Sequence, residues 1–175
     1  VLKAQNQKFT VIGRGVASAD AFTAKTGIPV LAGGLYAVAD SGFIDAATSA
    51  IVAVGVEALF ETTLILLNLG VKKILLEKPG VMYPYQIRPL CEAVEANGAR
   101  VFIAYNRRFL SSVRGAREII EADGGLTSFT FDFTEWGHEI ETLIKAPGVK
   151  ENWVLSNSSH VLDLAFHLGG IPKII

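Results

Sequence analysis

Four short apolar segments, separated by segments with helical periodicity, constrain the fold of this chain more than any other feature. The apolar segments lie at residues 9–13, 50–54, 73–76 and 101–104. Continuous apolar runs of this length are typical of strands that are buried on both faces of a sheet. The intervening helices are predicted at residues 18–25 (with Ser18 as the N-cap), 57–69 and 85–97. Strands that alternate with helices in this way predict an α/β fold with a doubly wound parallel sheet.

The pattern changes near residue 108, and we place a domain boundary there, between residues 1–108 and residues 109–175. After it, helices are predicted at 111–122 and 158–168, and a loop is predicted at 136–151. Phe129, Phe131 and Phe133 alternate with polar residues, which predicts a half-exposed strand of an antiparallel sheet. The second segment is therefore predicted to be the start of an α+β domain.

Composition excludes several classes of protein. The net charge is −1 and the isoelectric point is near 6.3, so no excess of basic charge indicates a nucleic-acid partner. No apolar run approaches the roughly 20 residues that a membrane-spanning helix needs. The one cysteine, Cys91, cannot form an internal disulfide, which is expected of a protein in a reducing compartment, and we expect a cytoplasmic location.

Polar residues follow three of the predicted strands. These groups are Gly13-Arg14-Gly15, Glu77-Lys78-Pro79 and Tyr105-Asn106-Arg107-Arg108. Because ligands of open parallel sheets bind beyond the carboxyl ends of the strands, all three groups are expected at one binding edge. The Gly-x-Gly group is a weak signal by itself, since it lacks the rest of a GxGxxG phosphate loop.

Lys78 is the first candidate for a catalytic group at this edge. A lysine ammonium can donate a proton or polarise a carbonyl, and partial burial can tune its pKa. Pro79 restricts the backbone of Lys78 to extended angles and so gives its side chain a defined direction. The alternative interpretation is a surface ion pair between Glu77 and Lys78 at a turn.

The last predicted helix carries the second candidate. His160, Asp163 and His167 are spaced to share one polar face of this helix. His160 could act as a general acid or base. Two alternatives remain at this point: a metal site, although no HExxH pattern is present, and a solvated helix face without chemical function.

The order strand–EKP–helix–strand–YNRRF–helix–strand–SHVLDLAFHLGG resembles the glucose–fructose oxidoreductase/inositol dehydrogenase family, Gfo/Idh/MocA. Members of this family are NAD(P)-dependent enzymes that act on sugars, cyclitols or nucleotide sugars. They have an N-terminal Rossmann domain and a C-terminal α/β domain with a large, open, mainly antiparallel sheet. The resemblance implies a Rossmann-like domain in residues 1–108, incomplete at its N-terminus, and the start of a C-terminal substrate and oligomerisation domain in 109–175.

The resemblance also assigns roles to residues near the cofactor. EKP at 77–79 matches the family signature in which the lysine lies at the substrate and nicotinamide, so Lys78 is implied as catalytic and Glu77 as a residue that places the cofactor. It implies a cis peptide bond between Lys78 and Pro79. YNRRF at 105–109 matches a segment that lines the nicotinamide and the substrate, which implies that Asn106 contacts the cofactor.

Further roles concern the substrate. Arg107 and Arg108 are implied to hold substrate hydroxyls or a phosphate. The family motif D-x-G-x-H-x-x-D places His160 on its histidine, as acid or base, and Asp163 on its second aspartate. The first aspartate of the motif falls on Ser156, which cannot act as a carboxylate, and the neighbouring Asn157 is expected to hydrogen-bond a sugar.

The chain departs from the family in its cofactor motifs. No GxGxxG loop is present, so the chain is expected to begin after the first Rossmann strand. The acidic residue that usually ends the second strand is Gly13 here, followed by Arg14, which favours the 2′-phosphate of NADP over NAD. The alternative is that Gly13 gives no strong preference, so the expected cofactor is NADP or NAD. Val54 begins the apolar stretch that replaces the usual T-P-N-x-x-H contacts to the cofactor.

The resulting expectation is an NAD(P)-dependent oxidoreductase that transfers a hydride to or from a sugar, cyclitol or nucleotide sugar. The alternative is a non-catalytic nucleotide- or sugar-binding protein that keeps the dehydrogenase fold, motivated by Ser156 and the missing glycine loop. A homo-oligomer formed through the C-terminal sheet is also expected, with the Phe129–Phe133 face packed either on a partner subunit or on the chain's own helices. No metal, nucleic-acid or membrane partner is expected.

Overall fold

Five short parallel strands form two sheets in the computed structural model, which describes residues 2–39, 44 and 49–171. The strands are β1 Val11–Gly13, β2 Val30–Ala32, β3 Ala50–Val52, β4 Lys73–Leu76 and β5 Arg100–Ile103. One sheet pairs β1 with β2, and the other has the order β3-β4-β5. The four predicted strands and their parallel pairing are confirmed. The sequence did not predict β2, because three residues are too few to show a period.

Helices follow the strands as in a Rossmann-like fold, and more follow in the second half of the chain. Their bounds are α1 Val16–Thr26, α2 Gly34–Ala39, α3 Leu59–Asn68, α4 Ile87–Ala96, α5 Ser111–Ala122, α6 Gly137–Thr142, α7 Trp153–Ser156 and α8 Ser159–Gly169. The prediction of Ser18 as an N-cap is wrong. Gly15, with extended backbone angles, precedes α1, and the Ser18 hydroxyl donates to the Gly15 carbonyl at 3.0 Å.

The main core lies on one face of the three-stranded sheet. Val52, Ile74 and Leu76 are buried there against apolar residues of α3 and α4. The opposite face carries Ile51, Leu75 and Phe102, which lie side by side in the strand register and are 59%, 42% and 57% exposed. The prediction that these strands are buried on both faces is therefore wrong for the part of the chain that the structure describes. The hydrophobic residues of the strands alternate between a covered face and an uncovered one.

The predicted strand over Phe129–Phe133 is also wrong. Within the described ranges no strand pairs with this segment, and an alternating sequence needs such a partner to form a ladder. Phe129 and Phe131 do share one side, as the alternation requires, and their rings stack at 5.9 Å. Residues 109–171 therefore do not form the C-terminal sheet through which we expected a homo-oligomer to assemble. The homo-oligomer stays a prediction.

The predicted loop at 136–151 contains α6, a short polar helix whose sequence shows no apolar periodicity. Beyond it, α8 packs against α5, α7 and the helical turn Asn106–Phe109 that follows β5. This packing brings the last helix to the carboxyl edge of the sheet, where the candidate site lies. None of the described helices combines the length and the apolar character that a membrane crossing requires.

Candidate active site

Lys78 lies directly beyond the end of β4. The backbone N–H of Glu77 still donates to the Val52 carbonyl at 2.9 Å, so the sheet continues to the residue before the lysine. The Lys78–Pro79 peptide bond is cis, as the resemblance implied. The start of the EKP segment is therefore held by the sheet itself and projects Lys78 from its edge.

The Lys78 side chain reaches the segment that follows α7. Its Nζ donates to the carbonyl oxygens of Ser156 and Asn157, at 3.0 and 3.1 Å. The surface ion-pair interpretation, with Glu77 as the partner, is not what the structure shows. Two carbonyl acceptors leave the ammonium charge without a bound carboxylate, and an ammonium has three N–H donors. One donor of Lys78 thus remains for a ligand.

The surroundings lower the pKa of Lys78. Partial burial is the largest cause, and the nearby Arg107 guanidinium adds to it, whereas the Glu77 carboxylate opposes it. Burial disfavours the charged form of an amine, and a like charge does the same. The lysine is therefore easier to deprotonate than a solvated one, which suits proton transfer.

His160, in the first turn of α8, belongs to the same cluster. Burial is the main cause that lowers its pKa, and the positive charges of Lys78 and Arg107 lower it further, against the opposing effects of Glu77 and Asp163. The imidazole is therefore neutral near pH 7 and can accept a proton. Its Nδ1 is buried and has no hydrogen-bond partner among the described residues.

Tyr105, which the sequence placed at the binding edge without a role of its own, packs against His160. The two rings meet edge to face at 5.9 Å, and burial raises the pKa of the tyrosine. The Arg108 guanidinium lies over the tyrosine ring, 5.7 Å from its centre. The signal for its position was its place at the start of YNRRF, directly after the predicted strand 101–104. Tyr105 fixes the orientation of the imidazole through packing.

Arg108 and Asp163, both predicted to contact the substrate, bind each other. Arg108 Nε donates to Asp163 Oδ2 at 2.8 Å, and Nη2 contacts the other carboxylate oxygen. This bidentate pair joins the turn after β5 to α8. Both oxygens of Asp163, the carboxylate that a metal site on α8 would need, accept hydrogen bonds from Arg108. Among the described residues no group of His, Cys, Asp and Glu is arranged to hold a metal ion. Arg107 is exposed at the same edge.

Ser156, which stands where the family has an aspartate, has a structural contact. Its hydroxyl donates to the Val149 carbonyl at 3.0 Å, while its own carbonyl accepts from Lys78. Asn157 uses its side-chain amide to donate to Glu135 Oε1 at 3.3 Å, and Ser158 Oγ donates to the same oxygen at 2.5 Å. Sequence reasoning missed Glu135, because it lies in a segment without periodicity.

The cofactor residues predicted at the ends of β1 and β3 lie near a second acid. Arg14, which follows β1, has its Nη2 3.8 Å from Oε1 of Glu57, which follows β3. Glu57 folds back over Gly55 so closely that its carboxylate fills the space that a Cβ on this glycine would need. The edge therefore offers a carboxylate and a guanidinium close to each other, which fits the ribose end of a dinucleotide. Val54 is half-buried and Asn106 is exposed.

No protein-family model and no curated protein sequence matches the chain. Solved structures do match its fold at low sequence identity. An oxidoreductase domain protein from Kribbella flavida has a TM-score of 0.69 at 17% identity and covers 92% of this chain and 43% of its own. Levoglucosan dehydrogenase in complex with NADH has a TM-score of 0.69 at 16% identity and covers 92% and 44%.

The WlbA dehydrogenase from Bordetella pertussis, in complex with NADH and UDP-GlcNAcA, has a TM-score of 0.59 at 15% identity and covers 70% of this chain and 37% of its own. The chain thus spans less than half the length of these solved structures. It shares with them the parallel sheet and the flanking helices. The chain therefore has the fold of the Gfo/Idh/MocA-type oxidoreductases, the family that its motifs resemble.

Proposed function

We propose that this chain carries the active-site edge of a nicotinamide-dinucleotide-dependent oxidoreductase that acts on a CH–OH group of a sugar, cyclitol or nucleotide sugar. The observation that carries the proposal is the position of Lys78, whose Nζ is held by two carbonyls in the same cluster as His160. Solved structures of the same fold contain NADH and sugar-type ligands, which supports this class of reaction.

A bound nicotinamide ring would accept or release the hydride, and the chain would supply position and proton transfer. The third N–H of Lys78 donates a hydrogen bond to the reacting oxygen and polarises its bond to carbon. Neutral His160 accepts the proton that leaves a hydroxyl during oxidation and returns it during reduction. A lysine held at two points loses little freedom when the substrate arrives, which favours the reactive geometry.

The predicted binding residues separate into two groups in this proposal. Arg107 remains available to substrate hydroxyls, since no ion pair engages it among the described residues. Asn157 lies next to the lysine, and because its Nδ2 donates to Glu135, it would offer a hydroxyl its Oδ1 as an acceptor. Arg108 and Asp163 instead position α8 through their mutual pair. We assign Glu77 and Asn106 to the nicotinamide side of the cofactor site, and Val54 and Arg14 to its adenosine side.

The ion pair of Arg14 with Glu57 shifts the cofactor preference away from the one that the sequence suggested. Arg14 alone favours NADP, but a carboxylate at this position accepts hydrogen bonds from the ribose hydroxyls of NAD and repels a 2′-phosphate. Glu57 thus takes the place of the acid that is absent at Gly13. We propose NAD(H) as the preferred cofactor.

The proposal is tested by following the reduction of NAD⁺ with a panel of sugars, cyclitols and nucleotide sugars. Lys78→Ala is expected to lower turnover of any active substrate by about 10²-fold or more, as expected when a positioned hydrogen-bond donor to the reacting oxygen is lost. Lys73→Ala is the matched control, because Lys73 is exposed at the opposite end of the same strand and should leave turnover unchanged. Equal turnover in the Lys78→Ala variant and the native chain would remove the lysine from the mechanism.

The alternative function is binding without catalysis, and the Ser156 geometry is the observation that favours it. Serine has no carboxylate, and the Ser156 hydroxyl donates to the Val149 carbonyl. This position therefore gives Lys78 and His160 no acidic group. This alternative predicts saturable binding of dinucleotide or sugar with no change in nicotinamide absorbance for any member of the panel. Turnover of one substrate would exclude it.

A further inference from the structure

We propose that Glu135 is a positioning residue, which sets the places of Lys78 and His160 by holding the junction between α7 and α8. The junction is residues 156–158. This proposal rests on the proposed function, because it adds a residue to the same site. Glu135 lies in the segment before α6 and is half-buried. It acts on the site through the junction, without contacting the reacting atoms.

The junction leads to both groups that the proposed reaction needs. Its first two residues, Ser156 and Asn157, offer the carbonyl oxygens that accept from Lys78 Nζ at 3.0 and 3.1 Å. Its last residue, Ser158, is followed directly by α8, and His160 lies in the first turn of that helix. A shift of the junction therefore moves the anchor of the lysine and the start of the histidine's helix together.

The helix before the junction is too short to hold it. α7 is a single turn, Trp153–Ser156, and a helix leaves its last four carbonyl groups without partners inside the helix. Lysine side chains can satisfy such carbonyls near a helix C-terminus, as Lys78 does here. Because an isolated helical turn is unstable in water, the position of the junction depends on contacts from outside α7.

Glu135 supplies the contact that holds two consecutive residues of the junction. Its Oε1 accepts from Ser158 Oγ at 2.5 Å and from Asn157 Nδ2 at 3.3 Å. Ser158 is only 2% exposed, and a hydrogen bond from a hydroxyl to a carboxylate is stronger than one between neutral groups. On the other side of the junction, the Ser156 hydroxyl donates to the Val149 carbonyl. The junction is therefore fixed from two directions.

Glu135 acts through the position of its oxygen rather than through its charge. Burial is the largest cause that lowers the pKa of Lys78, and the charges that shift this pKa are those of Glu77 and Arg107. The charged groups that shift the pKa of His160 likewise do not include Glu135. An uncharged side chain of the same length should therefore replace Glu135, whereas a shorter carboxylate should not.

Two variants of the full chain separate position from charge. Glu135→Gln keeps an oxygen of the same reach that can accept from Ser158 and Asn157, and it removes the negative charge. Glu135→Asp keeps the charge but shortens the side chain by one methylene group. Glu141→Asp is the control, because Glu141 is exposed on α6 and its side chain makes no hydrogen bond in the part of the chain that the structure describes.

NMR titration of ¹³C-labelled lysine, with Lys78 assigned through Lys78→Arg, reports on the lysine without substrate or cofactor. In Glu135→Asp the lysine loses its fixed, partly buried place, so its pKa should rise toward the ordinary 10.5. Glu135→Gln and Glu141→Asp should keep the lowered pKa of the native chain. An unchanged pKa in Glu135→Asp, or an equal rise in Glu135→Gln, would overturn the proposal.

Ser158→Ala serves as a second variant if circular dichroism shows that Glu135→Asp does not fold. It removes the shorter of the two hydrogen bonds to Glu135 and leaves the carboxylate in place. The pKa of Lys78 should rise in this variant too. A pKa equal to that of the native chain would overturn the proposal.

Turnover distinguishes failure of this proposal from failure of the proposed function. With any active substrate, Glu135→Asp should lower kcat by about 10- to 100-fold with a smaller change in KM, and Glu135→Gln should restore it. A native chain that turns over a substrate, with equal kcat in Glu135→Asp, contradicts the positioning role alone. A shifted pKa of Lys78 in Glu135→Asp, with no turnover by the native chain, supports the positioning role and contradicts the oxidoreductase.

Discussion

Ser156→Ala tests the structural role that we assign to the residue at the position of the family's aspartate. Ser156 is 8% exposed and Val149 is 6% exposed, and the serine hydroxyl donates to the valine carbonyl at 3.0 Å. Alanine removes the donor and leaves the carbonyl buried without it. Loss of one partner from a buried hydrogen bond costs about 1–3 kcal/mol in the free energy of unfolding.

Urea unfolding followed by circular dichroism measures this loss. With a urea dependence of about 2 kcal/mol per molar for a domain of this size, the midpoint is expected to fall by about 0.5–1.5 M. Ser128→Ala is the matched control, because Ser128 is exposed and its substitution should change stability by less than about 0.5 kcal/mol. Equal midpoints for the two variants would refute the assignment and leave Ser156 free for a role in the site.

Three further predictions concern the edge of the sheet. Arg108→Ala leaves Asp163 without its partner, and the side chain of Asp163 is only 9% exposed. The free energy of unfolding should fall by about 1–3 kcal/mol. This is less than for a fully buried pair, because the Arg108 side chain is 42% exposed. Urea unfolding measures this loss, and substitution of Arg117, which forms an exposed pair on α5, is a control expected to cost about 0.5 kcal/mol or less. NMR titration of the His160 imidazole, assigned with His160→Gln, should give a pKa below the ordinary value of 6.5. Glu57→Gln should weaken NADH binding and strengthen NADPH binding, as measured by nicotinamide fluorescence.

Each of these predictions has a contradicting result. Equal losses for the Arg108 and Arg117 variants would show that the pair with Asp163 does not hold α8. A pKa of His160 at or above 6.5 would contradict its burial among positive charges. An unchanged ratio of the two dinucleotide affinities in Glu57→Gln would remove Glu57 from the cofactor site.

The lowered pKa of His160 also predicts the pH dependence of activity and stability. Oxidation needs the neutral imidazole, so the rate should rise with pH through a pKa below 6.5 and then level off. Protonation is less favourable in the folded chain than in the unfolded one. The stabilising contribution is therefore present above the unfolded pKa and is lost as the pH falls through the folded pKa.

Sequence patterns predicted the elements that the hydrophobic core dictates. The strand at 73–76 and the helix at 111–122 have the observed bounds, because apolar residues there recur with a regular period. The short helices α2, α6 and α7 were missed, since a few residues give no period. The strand at 129–133 was predicted wrongly, because alternation specifies a strand only when another strand is available to pair with it.

For the candidate site, the sequence predicted which side chains lie at the edge of the sheet but not how they pair. Lys78 and His160 were expected near each other, and the structure brings both into one cluster. Arg108 and Asp163 are 55 positions apart, and nothing in either local sequence indicates that they bind each other. Glu57 lies in an apolar stretch whose pattern favours only a helix, so its position beside Arg14 depends on tertiary packing.

Titration of the chain with NADH and with NADPH, followed through nicotinamide fluorescence, tests the central claim most directly. A binding edge built from Arg14, Glu57 and Lys78 predicts saturable binding of both dinucleotides, tighter for NADH, with weaker binding in Lys78→Ala. Binding of neither dinucleotide by a chain whose circular dichroism shows that it is folded would contradict the assignment of this edge as an oxidoreductase cofactor site.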